Sequence, residues 1–330
     1  MNTNIYWPVY KDIESEIVKL SYYIHFNDDQ LCVYSSKITD LILRAAIEIE
    51  SISKELYKAN GGTKTGNIHY DNDAIKYLNK LWKLDKKVVI ICSSNCYYSN
   101  RVYQPFKKDL ISEKKHTYGW NKAYQDLKHD RANYFQSGCV KHLFEISSAL
   151  YILNLYYKED SYGSTEMSGK NINENLSSDI FSIKIHRLRS FGIYYNKTND
   201  FDECTYVMKL TDESSKLYMD NALEENKRQC EYITKSTQYA KFCMDNNLTS
   251  LDAVYDYYKR QAPRQTFAYY ILGKEEHLRM VNAVCTDPNK YMPKIKYEAV
   301  LNRHCIPQYE EYEKVKNTKE QGYGTTNYSK

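Results

Sequence analysis

The sequence predicts a mainly α-helical chain, with a helical bundle over residues 1–158, a linker over 159–177 and a smaller α+β domain over 178–330. Three observations carry this reading. Apolar residues recur at spacings of three and four along most of the first 158 residues. The stretch KEDSYGSTEMSGKNINENLSSD is polar, rich in Gly, Ser and Asn and poor in apolar residues, the composition of a boundary. Beyond it, IFSIKIHRLR alternates as a strand does before helical periodicity returns.

Taken in order, Val9 to about His25 places Ile13, Ile17, Val18, Leu20 and Tyr23 at helical spacing, and Asn27-Asp28-Asp29 breaks the pattern. A second helix runs from about Gln30 to Ala59 with Val33, Ile38, Leu41, Ile42, Ala45, Ile49 and Ile52 on its apolar face. Asn60-Gly61-Gly62 supplies its left-handed stop. Arg44, Glu48, Ser51 and Glu55 line one edge of this helix, either facing solvent or paired inside the bundle. After a polar loop to Tyr70, Asp73 to Leu84 reads as a short helix, and Val88 to Cys92 as a buried strand or an apolar extension. Asn100 to Tyr118 is irregular and basic, a loop long enough to be functional, and its Lys107, Lys108, Lys114 and Lys115 are candidate nucleic-acid contacts.

The rest is organised around Trp120 to Tyr157. On a helix, Trp120, Tyr124, Lys128 and Arg131 share one face, while Asp126, His129, Asp130 and Asn133 share another. After Gly138, the positions of Val140, Leu143, Phe144, Ile146, Leu150, Leu153 and Leu155 describe a buried helix with almost no charge. In the C-terminal part, the strand at Ile180–Arg189 could pair with Tyr206–Leu210. Thr211 to Asn247 follows as one long helix capped by Thr211 or Asp212, with shorter helices at Leu251–Gln261, Thr266–Leu272 and Glu275–Cys285 and a loose polar tail from Asn317. His186, Arg187 and Arg189 form the only basic cluster of this part, which reads more readily as a solvated face than as a site; a trigger-sensing or assembly role is the expectation for it.

The net charge of +4 is uneven. Residues 1–158 hold 22 Lys and Arg against 17 Asp and Glu, and Lys86 to Lys141 alone holds eleven basic and four acidic side chains. A bias of that size attracts phosphate, although a solvated lysine-rich surface has the same composition. The sequence shows neither a signal peptide nor an apolar run of eighteen residues, so a cytoplasmic location with no membrane contact is expected. Nine scattered cysteines suit reduced thiols.

Phosphate-cradling glycine loops, His-Glu-x-x-His and nucleophile elbows are absent from the sequence, which removes the most recognisable hydrolase classes. Cys92 with Cys96, and Cys139 with His142, match no common zinc spacing, so no metal or cofactor is expected. The run Lys128-His129-Asp130-Arg131 is the stronger lead. An imidazole titrates near working pH and can move a proton at a ribose hydroxyl, while Lys128 and Arg131 hold the phosphoryl oxygens. Arg44 and Glu48 would fix these groups, with Trp120, Tyr124 and Asp126 as supporting residues. The bland alternative is that Arg44, Glu48, Lys128 and Arg131 form an internal ion-pair network and that the two aromatics are core.

A long helix carrying LILRAAIEIESISKELY, followed by a helix with W-x3-Y-x3-K-H-x-R and an apolar closing helix, resembles prokaryotic members of the HEPN superfamily over about residues 10–158. The resemblance implies a bundle of four or five helices, usually dimeric, of the kind found in toxin, abortive-infection and CRISPR-linked ribonucleases. There an Arg and a His from both protomers meet at the interface. The family signature is an Arg, four to six intervening residues, then a His; here His129 precedes Arg131, and His142 follows it after ten intervening residues. Two readings result. One is a metal-independent endoribonuclease of a toxin or phage-defence type that acts on RNA, forms a homodimer and is held by an antitoxin or other regulatory protein. The other is a non-catalytic HEPN-like module that binds nucleic acid, nucleotide or a partner protein.

Overall fold

A computed structural model describes residues 4–112, 115–187, 197–262, 265–285, 294–303, 306 and 309. The chain is mainly α-helical, with ten α-helices and several small sheets among the described residues. None of these helices is long and apolar enough to cross a membrane, and every described cysteine is free. The chain divides into two units, one formed by Met1–Leu188, Lys197–Lys209 and Glu298–Ile306, the other by Arg189–Asn196, Leu210–Tyr297 and Pro307–Lys330.

The first unit is built on α1 (Tyr6–Leu20), α2 (Ser36–Ala59), α3 (Lys76–Trp82), α4 (Gly119–His129), the short α5 (Arg131–Tyr134) and α6 (Val140–Lys158). α6 is apolar nearly all round and is buried along α1, α2 and α4, so it is the axis of the core. α2 begins six residues later than its periodicity suggests, because the Ser35 hydroxyl accepts from the Ile38 N–H at 3.2 Å and fixes the start there. It ends at Ala59 as expected, with Gly61 at φ +88°.

Short strands accompany these helices: β1 (Phe26–Asn27), β2 (Val89–Ile91), β3 (Cys96–Tyr97), β4 (Val102–Tyr103), β5 (Asp109–Ser112), β6 (Lys115–Thr117), β7 (Tyr162–Ser164), β8 (Phe181–Ile183), β9 (Ile185–His186), and β10 (Tyr206–Leu210) and β11 (Tyr297–Leu301), of which all but Leu210 and Tyr297 fall in this unit. β2 is the middle of an antiparallel sheet ordered β4-β2-β8, with Val89 opposite both Tyr103 and Ile183. A second sheet is ordered β7-β11-β10-β9, where β9 runs parallel to β10 with Ile185 opposite Tyr206. The basic segment before Trp120 therefore contains β4 and the β5–β6 hairpin.

The structure corrects the division expected at residue 158. Residues 159–177 do not link the two units; they and β8 belong to the first. Their Gly, Ser and Asn residues make turns, as their composition suggests, but these turns are closed by side-chain bonds such as Ser164 to Asn171 at 2.7 Å and pinned by buried Ile172 and Leu176. The decisive anchor is Glu14 of α1, 1% exposed, whose carboxylate accepts from the Tyr10 and Ser178 hydroxyls and from the N–H groups of Asp179 and Ile180.

A second buried polar node is Lys87, fully buried just before β2, whose ammonium donates to the carbonyls of Asp202 and Cys204 at 3.0 and 2.9 Å. Burial pushes its pKa down from 10.5 to about 7. Between those two values the unfolded chain holds the proton that the folded chain has lost, so this group makes stability rise with pH across that window. In urea unfolding, the stability difference between the wild type and Lys87→Met should grow with pH from about 7 to 9.5, by up to about 1.4 kcal/mol per pH unit. A difference that stayed flat over this range would show that Lys87 keeps its ordinary proton affinity.

The second unit contains α7 (Asp212–Lys235), α8 (Thr237–Asp245), α9 (Leu251–Gln261) and α10 (Phe267–Val284) around a small core of Ile233, Val254, Ile271, Leu272 and Met280. Thr211 caps α7 by accepting from the Ser214 N–H at 3.3 Å. The single helix expected over 211–247 is two helices, because the Ser236 hydroxyl accepts from the Tyr239 N–H at 3.1 Å and starts a new one. α9 has the expected limits, and the two helices expected after it lie on either side of Gly273, whose backbone at φ +71° and ψ 174° is non-helical and kinks the span designated α10. The polar tail expected from Asn317 lies outside the described residues.

Candidate functional site

α4 ends at His129 because the Asp130 backbone, at φ −150° and ψ 59°, leaves the helical region; Arg131 then opens α5. The single face expected to carry Trp120, Tyr124, Lys128 and Arg131 is thus interrupted. Trp120 and Tyr124 are core residues, and the Trp120 indole donates to the Pro105 carbonyl at 2.8 Å. Lys128, His129 and Arg131 are all exposed at the corner between the two helices.

The cations at this corner are partly engaged. The Lys128 ammonium donates to the Tyr124 hydroxyl at 3.1 Å, and that hydroxyl donates to Glu50 at 2.9 Å. The bond to Tyr124 holds the Lys128 pKa above its ordinary value, and burial raises that of Tyr124. Arg131 lies 3.9 Å from Asp40, and Asp126 takes both its bonds from Lys122 at 2.6 Å. The His129 imidazole makes no hydrogen bond or ion pair with the described residues. Exposed pairs of this kind contribute about 0–1 kcal/mol each, so a phosphate can displace them.

The expected support from Arg44 and Glu48 is not found. Arg44 pairs with Asp12 of α1 at 2.5 Å, and the same edge of α2 receives the Tyr6 hydroxyl at Ser51 and Glu55. Burial raises the Glu48 pKa, against a smaller opposing pull from Arg44. The α2 acid that reaches α4 is Glu50, two residues and about 200° further round the helix than Glu48. Of the other proposed contacts, Lys107 and Lys108 are exposed, and the Lys108 ammonium lies over the Tyr118 ring at 5.2 Å. Lys114 lies outside the described residues; Lys115 belongs to β6, where its side chain is likewise outside them. In the other basic cluster, His186 is buried with its Nε2 2.8 Å from the Thr198 hydroxyl, Arg187 pairs with Glu174 at 3.4 Å, and Arg189 lies outside the described residues.

At the opposite end of α4 a half-open cavity of about 330 Å³ is bordered by Asp28, Tyr98, Tyr103, Lys107, Asp109, Lys141 and Glu145. Glu145 is the sole acid of α6. One of its oxygens lies 4.0 Å from the Lys141 ammonium, and the other, Oε2, is buried without a hydrogen-bond partner. A Cβ at Gly119 would stand 2.9 Å from that oxygen and 3.6 Å from Asp109 Oδ2, so the glycine allows α4 to begin directly against both carboxyl groups. Burial pushes the Glu145 pKa up, Asp109 adds to this, and His142 and Lys141 oppose it. Sequence reasoning missed this residue, although a lone carboxylate inside an otherwise apolar helix is a signal in its own right.

The cysteine–histidine spacings considered for zinc lead elsewhere. Cys139 Sγ lies 3.4 Å from His142 Nδ1, which is itself 2.9 Å from the Ser137 carbonyl. No group of three or more metal-binding side chains occurs among the described residues. No family model, curated protein or solved structure matches the chain.

Proposed function

We propose that the first unit is a HEPN-like module that binds RNA at the α4–α5 corner and cleaves it without a metal ion, in a toxin or phage-defence setting. The observation that carries this reading is that Lys128, His129 and Arg131 all reach solvent at one helix junction, with the imidazole free of protein partners among the described residues. In this reading His129 takes the proton from a ribose 2′-hydroxyl as the 2′-oxygen attacks the adjacent phosphorus. The bond to the 5′-oxygen breaks, and His129 of a second copy supplies the proton to that leaving oxygen, giving a 2′,3′-cyclic phosphate and a 5′-hydroxyl. Arg131 and Lys128 hold the phosphoryl oxygens as charge builds on them. A homodimer supplies the second imidazole, and an antitoxin-like protein would act by covering the corner.

The test is incubation of labelled RNA with purified protein in EDTA, wild type beside His129→Ala and Arg131→Ala. The expected outcome is cleavage by the wild type, reduced on the order of 100-fold or more in His129→Ala. Equal cleavage by all three proteins would remove the assigned roles. A specific observation favours the non-catalytic reading: the Lys128 ammonium is already held in a chain with Tyr124 and Glu50. Salt-sensitive RNA binding by the wild type with no cleavage, weakened in Arg131→Ala, would select it.

A further inference from the structure

We propose that the cavity at the start of α4 is a binding site for a small basic amino acid or its amine relative, a compound with a guanidinium or ammonium head, taken by Glu145, Asp109 and Asp28. The inference does not depend on the RNA reading, since the α4–α5 corner lies at the other end of the helix.

Two residues that border the cavity each carry a buried polar atom without a partner. One is Glu145 Oε2, and the other is the hydroxyl of Tyr98, a residue only 4% exposed. Native folds rarely leave two such groups around one small space unless something else completes them. The lining decides what that is. Three carboxyl groups and the phenols of Tyr98 and Tyr103 border the cavity. Burial raises the pKa of both phenols, and Asp28 near each of them adds to this. The ionised carboxyl groups offer only acceptors, although the donors of Asn100, Gln104, Lys107 and Lys141 border the cavity too. A guanidinium or ammonium has several donors and no acceptor, so it complements the three acids. A cation beside Glu145 would also offset the burial that now disfavours its ionised form.

Lys107 and Lys141 border the same cavity. Their positive charge sets the other end of the ligand, because a carboxylate carried a few bonds from the cationic head would face a lysine instead of an acid. Arginine has both ends and agmatine lacks the carboxylate, so the pair separates the two halves of the proposal. A guanine base also presents adjacent N–H donors to a carboxylate, and GMP therefore serves as the competing probe.

The experiment is titration calorimetry, paired with thermal melting, on the full chain with arginine, agmatine and GMP, using wild type, Glu145→Gln and Asp109→Asn. Asp109 is exposed, so its variant leaves the fold unchanged even if Glu145→Gln does not fold. Both basic ligands are expected to bind and raise the melting temperature, arginine more tightly than agmatine. Affinity should fall on the order of 30-fold in Glu145→Gln and several-fold in Asp109→Asn. The proposal is overturned by no heat and no melting shift from arginine or agmatine at millimolar concentration, or by equal affinity in wild type and Asp109→Asn. Binding of GMP alone would also overturn it and make the cavity a nucleobase site.

Discussion

Glu14→Ala is expected to lower the unfolding free energy of the first unit by about 3–5 kcal/mol, which is the range for breaking a buried charged network at one partner. The carboxylate is 1% exposed and accepts from the Tyr10 hydroxyl at 2.8 Å, from the N–H groups of Asp179 and Ile180 at 3.0 and 3.2 Å, and from the Ser178 hydroxyl. Alanine would remove the acceptor these donors share, leaving the buried Tyr10 hydroxyl and Ile180 N–H only the Ser178 hydroxyl, at 2.9 and 3.4 Å. The loss would extend beyond α1, because residues 178–180 lead directly into β8, the outer partner of β2. Urea unfolding followed by far-UV circular dichroism gives the number, and amide exchange at Phe181–Ile183 should become faster. Glu14→Gln keeps an acceptor in place and should cost distinctly less. A loss below about 1 kcal/mol for alanine would show that the node is not what closes 159–183 onto the bundle.

Phe144→Ala should produce a loss of similar size, about 3–5 kcal/mol, through a different mechanism. Its ring is fully buried on α6 and meets three aromatic partners edge-on: Phe26 at 5.1 Å, Tyr98 at 5.4 Å and Phe181 at 6.3 Å. These partners come from β1, from the segment after β3, and from β8, so one side chain ties three distant stretches to the central helix. Removing it leaves a void that well-packed neighbours cannot fill. As a control, Leu278→Ala, on an exposed face of α10, should change stability by no more than about 0.5 kcal/mol. A loss at Phe144 as small as that control would mean the core collapses freely around the gap.

Some of this architecture could be read along the chain, and the reason is local. α6 was legible because an uninterrupted apolar pattern needs burial whatever surrounds it, and α9 because its periodic residues start after Ser250, whose hydroxyl accepts from the Ala253 N–H at 3.2 Å. The stop after Ala59 was legible because Asn60-Gly61 is a left-handed ending on its own. Ser35 and Ser236 carry comparable local information, but a capping serine inside a periodic run looks like part of the run until the backbone turns there.

The candidate sites divide in the same way. Exposure of the Lys128-His129-Arg131 corner follows from a polar run at a helix end, while the break at Asp130 that separates Arg131 from the α4 face does not. The choice of Glu50 over Glu48 as the acid facing α4 depends on the rotation of α2 about its own axis, and both residues fit its polar side equally well. The β5–β6 hairpin was hidden in a basic segment whose alternation is too short to register.

The sequence by itself determined that this protein is mainly α-helical, that its central helix is apolar, and that cations cluster before and along α4, since each is a property of neighbouring residues. Only the tertiary structure decided that residues 159–187 complete the first unit, that Glu14 is a hub and that one oxygen of Glu145 lacks a partner. Glu14 meets residues about 165 positions away, and Glu145 stands against the first residue of a helix that precedes it. A carboxylate's role depends on which donors reach it and whether water can, and chain-distant packing sets both.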